Sequence, residues 1–197
     1  MFKVVLIGDS IRMGYQDRVR QIVGARAEVV APDANCGNTM LVRENLGPWV
    51  IDRAPDLVHF NCGIHDLGWM AGEKVPRFTI GAYVRNLRII VSRMKESTRA
   101  RLIFATTTPF LIPCIAEVPK AKCRSAAIVG RYNAAAARLM RRLGVPVNDL
   151  NRVVVRAGLH ACLSDDKIHM TAEGNEILAQ AVAAAILHEL RDARTVR

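Results

Sequence analysis

A chain of 197 residues, 51% hydrophobic and 23% charged, is long enough for one domain with a full core and too apolar to be disordered. Aromatic residues are only 5%, which suits an α/β layer structure better than an all-β sandwich. The net charge of +10 is spread over predicted helix faces (Arg138, Arg141, Arg142; Arg152, Arg156) and the C-terminal Arg191, Arg194 and Arg197, not gathered into a patch with interleaved aromatics. Nucleic acid is therefore not the expected partner, although the charge favours an anionic substrate.

Phe2–Ile7 is a short apolar run that reads as a buried strand, followed by a helical pattern over Met13–Val23. Ala27–Ala31 is a second strand, bounded by Pro32 and Asp33, with a helix predicted over Asn38–Leu46 and Asn38 or Thr39 as its cap. Leu57–Phe60 is a third strand, ending before Asn61, Cys62 and Gly63. The helix after it, Phe78–Lys95, carries Tyr83, Leu87, Ile90, Val91 and Met94 at helical spacing. Arg101–Thr107 is a fourth strand stopped by Pro109, with Lys122–Leu143 as the next helix. Val145–Val147 is a short fifth strand, and Thr171–Leu190, capped by Thr171, is the last helix. Between Pro109 and Pro119 lies a loop with an apolar middle, either a wall or lid over a site or a segment packed on the body. Strands alternating with helices imply a parallel sheet covered on both faces, with ligands bound outside the carboxyl ends of its strands.

The expected organisation is a single domain over residues 1–190 and a basic tail over 191–197. The start MFKVVLIGDS leaves no room for a leader ahead of the first strand, and no stretch approaches about 18 apolar residues, so no membrane partner is expected and the chain reads as cytoplasmic. Five cysteines (Cys36, Cys62, Cys114, Cys123, Cys162), odd in number and without a C-x-x-C spacing, fit buried reduced thiols better than a disulfide framework.

Chemistry enters where the strands end. Ser10 sits just past the first strand in Gly8-Asp9-Ser10. Gly37 lies past the second, in Asn35-Cys36-Gly37-Asn38-Thr39, and Gly63-Ile64-His65-Asp66 past the third. Asp166-Lys167-Ile168-His169 precedes the last helix. A serine hydroxyl is a weak nucleophile at neutral pH and needs an imidazole to take its proton and a third group to hold that imidazole. Ser10, His169 and Asp166 supply those types. His59, Cys62, His65 and Asp66 match no common zinc spacing, so no metal is expected. The G-x-S-x-G elbow of α/β-hydrolases is absent.

In order and separation these blocks resemble those of the SGNH (GDSL-type) hydrolases: GDS, a glycine past strand two, GxND past strand three and DxxH near the C-terminus. The resemblance spans residue 4 to the final helix. It implies a three-layer α/β/α, flavodoxin-like domain with a five-stranded parallel sheet, and ester hydrolysis without a metal or organic cofactor. It makes Ser10 the nucleophile, His169 the general base and Asp166 its orienting carboxylate. It also directs the backbone N–H groups of Ser10 and Gly37 at the oxyanion, each such donor stabilising the transition state by roughly 3–4 kcal/mol.

One block departs from the family pattern, with His65 in place of the asparagine that gives the third oxyanion donor. Three readings stay open: His65 donates instead, Asn61 reaches in, or the third donor is lost. Asp9, Asn61 and Arg12 are the further candidates for substrate contact, Arg12 as a receptor for an anionic group. The expected activity is hydrolysis of short acyl esters, O-acetyl above all, on a small molecule or carbohydrate. Acyl transfer on the same scaffold, or polyanion binding by an idle site, are the alternatives. Oligomeric state is not legible.

Overall fold

The structure is a computed structural model, and it describes residues 1–68, 76–111 and 125–195. Five strands form one all-parallel sheet in the order β2-β1-β3-β4-β5: β1 (Phe2–Ile7), β2 (Ala27–Val30), β3 (Leu57–Asn61), β4 (Arg101–Ala105) and β5 (Val147–Asn148). This is the flavodoxin-like order, whose reversal lies between β1 and β3. The expected α/β fold with helices on both faces is thus the one found.

Side chains alternate across each strand and define two cores. Val5, Ile7, Val58, Phe60, Leu102 and Phe104 face one side. There they pack with α2 (Thr39–Glu44), α3 (Leu46–Trp49), α5 (Ile80–Ser97) and α6 (Ser125–Arg142). Val4, Leu6, Leu57, Ile103 and Ala105 face the other. That side holds α1 (Ser10–Val23), α7 (Leu150–Ala157), α8 (Leu159–Cys162) and α9 (Ala172–Thr195). A further short helix, α4 (Ile64–Leu67), follows β3 directly.

Several boundaries differ from the sequence expectation for local reasons. Helix α1 begins at Ser10, not Met13, because the Asp9 carboxylate caps it by accepting from the Ile11 N–H at 3.0 Å. Asn38 caps α2 by accepting from Met40 and Leu41, and Thr171 caps α9 through Gly174. Strand β5 is displaced to Val147–Asn148, because the Val145 N–H is spent on the Met140 carbonyl at the end of α6. Helix α9 runs through residue 191 to Thr195. No helix among the described residues is long and apolar enough to cross a membrane. Cys36, Cys62 and Cys162 are free and buried, whereas Cys114, Cys123 and most of the Pro109–Pro119 loop lie outside the described residues.

Candidate active site

The carboxyl edge of the sheet gathers the four sequence blocks. Ser10 is the first residue of α1, directly past β1, and is half-buried. His169 approaches from the turn ahead of α9, and its Nε2 lies 2.8 Å from Ser10 Oγ. On the other side of the ring, Nδ1 lies 2.5 Å from Asp166 Oδ2. A carboxylate accepts only, so Nδ1 carries the proton and Nε2 is left to accept from the serine hydroxyl.

The turn that presents His169 is over-determined. Asp166 Oδ1 accepts from the Ser164 hydroxyl at 2.8 Å and from the Ile168 and His169 N–H groups at 2.9 Å each. Lys167 between them takes a left-handed conformation (φ 61°). The His169 carbonyl accepts from Ser164 N, Leu163 bridges to Met170, and the Lys167 carbonyl accepts from Leu111 N at 2.8 Å. The His169 hydrogen bond, followed by these backbone and hydroxyl donors, holds the Asp166 carboxyl well below the usual carboxylate range. It therefore stays ionised, a state that its contact with water also favours.

Gly37 is buried between β2 and α2. Its N–H is not idle: it donates to the exposed Asn35 side chain, Oδ1 at 2.9 Å, in a turn that spans Cys36. An acyl oxygen arriving at this N–H has to displace that carboxamide. Gly63, at the end of β3, has φ 155°, and a Cβ there would fall 1.8 Å from Thr107 Oγ1, so no larger residue fits. It turns the chain into α4, where His65 is half-buried with its Nε2 buried and unpartnered among the described residues. The next residue, Asp66, points away from His65's neighbourhood to the start of α2, accepting from Thr39 N at 3.1 Å and Thr39 Oγ1 at 2.5 Å. Burial pushes the Asp66 carboxyl up to about 7.

Three tentative contact residues are corrected or narrowed. Asp9 is only 2% exposed and turned inward as the α1 cap, with burial raising its carboxyl against the pull of the Ile11 N–H and the Arg12 guanidinium. Arg12 is 1% exposed and donates to the protein's own backbone, so it cannot reach an anionic substrate. Asn61 is half-buried at the site edge, and its Nδ2 donates to the Ala105 carbonyl at 2.8 Å. His59, considered with the zinc pattern, is fully buried on the opposite face of the strand from Cys62 and pairs with Asn148 across 3.2 Å.

Past β4 lies a buried polar network that spacing in the sequence does not reveal. Thr107 N donates to Asn133 Oδ1 at 2.9 Å and Asn133 Nδ2 returns to the Thr107 carbonyl at 2.8 Å. Thr106 Oγ1 donates to Asp149 at 2.8 Å, and Asn151 Nδ2 also reaches the Thr107 carbonyl. It fixes the Thr107 backbone, and the Thr107 hydroxyl beside Gly63 donates to the Cys62 carbonyl at 3.2 Å. The run Thr106-Thr107-Thr108 at a strand end was its only signal.

The sequence model of the GDSL-like lipase/acylhydrolase family matches residues 6–177 of the chain. No curated protein matches it in sequence. Among solved structures, the acetyl xylan esterase AlAXEase superposes with a TM-score of 0.77 at 14% identity, covering 94% of this chain and 100% of that one. A lipase/acylhydrolase from Enterococcus faecalis gives 0.76 at 22% identity, covering 94% of this chain and 95% of that one. A carbohydrate esterase family 3 protein from Talaromyces cellulolyticus gives 0.75 at 18%, covering 98% and 99%. At these identities the likeness is one of fold.

Proposed function

The chain belongs to the GDSL-like lipase/acylhydrolase family and is a carboxylic ester hydrolase, and from that premise we propose that it removes short acyl groups, acetyl foremost, from hydroxyls of a small molecule or carbohydrate through Ser10, His169 and Asp166. The observation that carries this reading is the unbroken chain Ser10 Oγ, His169 Nε2, His169 Nδ1, Asp166 Oδ2, with separations of 2.8 and 2.5 Å.

In the first step Ser10 Oγ attacks the acyl carbon while His169 Nε2 takes the hydroxyl proton. The imidazolium so formed is stabilised by the ionised Asp166. The carbonyl oxygen becomes an oxyanion received by the N–H groups of Ser10 and Gly37, the latter released from Asn35. His65, whose buried Nε2 has no partner among the described residues, is the third donor in place of the family asparagine. The tetrahedral centre collapses with expulsion of the alcohol, which leaves with the proton from Nε2. Water then attacks the acyl-serine, Nε2 takes its proton, and the carboxylic acid departs as Ser10 Oγ recovers its hydrogen.

The acetyl xylan esterase and carbohydrate esterase among the similar structures support, without extending past their fold likeness, an O-acetylated carbohydrate as substrate class. Initial rates on p-nitrophenyl acetate, butyrate and octanoate, for wild type and Ser10→Ala, test the reading. The expected order is acetate fastest and octanoate slowest, with all three lost in the variant. Turnover that persists in Ser10→Ala sinks the mechanism, and octanoate fastest sinks the short-acyl assignment.

A further inference from the structure

Arg12 is the largest fully buried side chain among the described residues. Taking a guanidinium out of water costs several kcal/mol unless its donors are satisfied. Here they are satisfied mostly by backbone, with no carboxylate in salt-bridge contact among the described residues. Nε and Nη2 both donate to the Gly8 carbonyl at 3.3 Å, Nη1 to the Pro32 carbonyl at 3.0 Å and Nη2 to the Ala34 carbonyl at 2.6 Å. Gln16 Oε1 takes a further bond from Nη1, and Cys36 Sγ lies 3.7 Å from Nη2. The Gly8 carbonyl also accepts from Cys36 N at 3.2 Å. The aliphatic stem lies over Gly8, where an added Cβ would come within 2.7 Å of Arg12 Cβ.

These contacts, together with the bond from Cys36 N to the Gly8 carbonyl, tie two segments to each other. Gly8 precedes Asp9 and Ser10 at the end of β1. Pro32, Ala34 and Cys36 form the loop that leads into Gly37. We propose that Arg12 is a positioning residue of the oxyanion hole: its planar fork spans the two segments and fixes the spacing of the Ser10 and Gly37 N–H groups. The inference rests on the reading of those two groups as oxyanion donors. A fork of five donors in one plane can hold three carbonyls on two segments, whereas a lysine ammonium is a single point at the end of a flexible stem. Misplacing a catalytic group by about 1 Å is enough to lose about 100-fold in rate, and losing one oxyanion donor costs about 10²–10³-fold in kcat.

The test compares wild type, Arg12→Lys and Arg12→Ala on p-nitrophenyl acetate, with the folded fraction of each read by circular dichroism. The expected result, per folded molecule, is kcat lower by about 100-fold in Arg12→Ala and at least about 10-fold in Arg12→Lys, with KM within about threefold. Millimolar guanidinium, below denaturing concentration, is expected to restore part of the Arg12→Ala rate by refilling the vacated site. Lysine at wild-type kcat, or a loss confined to KM, overturns the inference. So does a loss of folding in both variants, which would make Arg12 a folding residue. A wild type without Ser10-dependent turnover fails earlier, at the esterase reading itself, so the two failures are told apart by the Ser10→Ala control.

Discussion

Replacing Asp166 by asparagine separates chemistry from folding at one position. Oδ1 of the native carboxylate accepts three donors, the Ser164 hydroxyl and the Ile168 and His169 N–H groups, while Oδ2 faces His169 Nδ1. An asparagine must keep its oxygen on the three donors. Turning over would forfeit three neutral hydrogen bonds at about 1 kcal/mol each, about 3 kcal/mol in all, or roughly a hundredfold in population. The amide NH2 is thereby aimed at Nδ1, which must become the acceptor, and the ring proton moves to Nε2. That nitrogen then donates to Ser10 Oγ and can no longer take its proton. The tautomer error costs about 10⁴-fold in kcat in Ser-His-Asp triads. The turn keeps its bonds, and an exposed charge contributes little to stability, so the expected fall in Tm is only a few degrees. Asp166→Ala removes the bonds to Ile168 and His169 as well and is expected to lose stability along with rate. The assay is p-nitrophenyl acetate hydrolysis beside thermal unfolding. An Asp166→Asn enzyme within about tenfold of wild type would refute the reasoning, because His169 would then act without a fixed tautomer.

Asn35→Ala removes the carboxamide that occupies the Gly37 N–H. Relieving one neutral hydrogen bond is expected to raise kcat/KM by about 2–10-fold, and an unchanged or lower value shows that Gly37 does not serve the oxyanion. Gly63→Ala sets a Cβ against Thr107 Oγ1 at a φ of 155°; overpacking and backbone strain together are expected to cost roughly 3 kcal/mol or more, read as a lower urea midpoint, and a cost under about 1 kcal/mol contradicts the packing. Burial lowers His59 to about 4 from its usual 6.5, so the unfolded chain binds a proton there first. Its share of stability is complete above pH 6.5 and is lost as pH falls toward 4, at up to about 1.4 kcal/mol per pH unit. Asp66, raised to about 7 from 3.8, has the opposite sign: the folded chain keeps its proton longer, and stability drops as pH rises from about 4 to 7. The stability of Asp66→Asn relative to wild type is therefore expected to rise over that window and level off above it. A difference constant with pH by urea unfolding at pH 4 to 8 refutes the assignment.

What the sequence made legible follows what is local. Val4–Ile7 is apolar on both faces, as a central parallel strand must be, and the ends of the Phe2–Ile7 run agree with β1. Strand polarity alone puts Ser10, Gly37 and Gly63 at one sheet edge, and the family resemblance is what adds the Asp166–His169 turn. The sequence puts Arg152 and Arg156 on a helix face without bounding α7, because Val153-Val154-Val155 has strand-like residues; the Asp149 cap and the burial of Leu150 and Val154 one turn apart overrule that propensity. Arg12 reads as a receptor for an anionic group because a charged side chain two positions past a site is usually exposed. Only folding brings three carbonyls from two segments around it. The contact between Asn35 and the Gly37 N–H depends on a side-chain rotamer, which spacing does not encode.

The most direct measurement is reaction of the folded protein with a fluorophosphonate, read by intact mass and then by peptide mapping, for wild type, Ser10→Ala and His169→Ala. The triad requires a single adduct on Ser10 in wild type, none in Ser10→Ala and a much slower one in His169→Ala. A folded wild type that takes no label, or takes it on another residue, contradicts Ser10 as the nucleophile and with it the proposed mechanism.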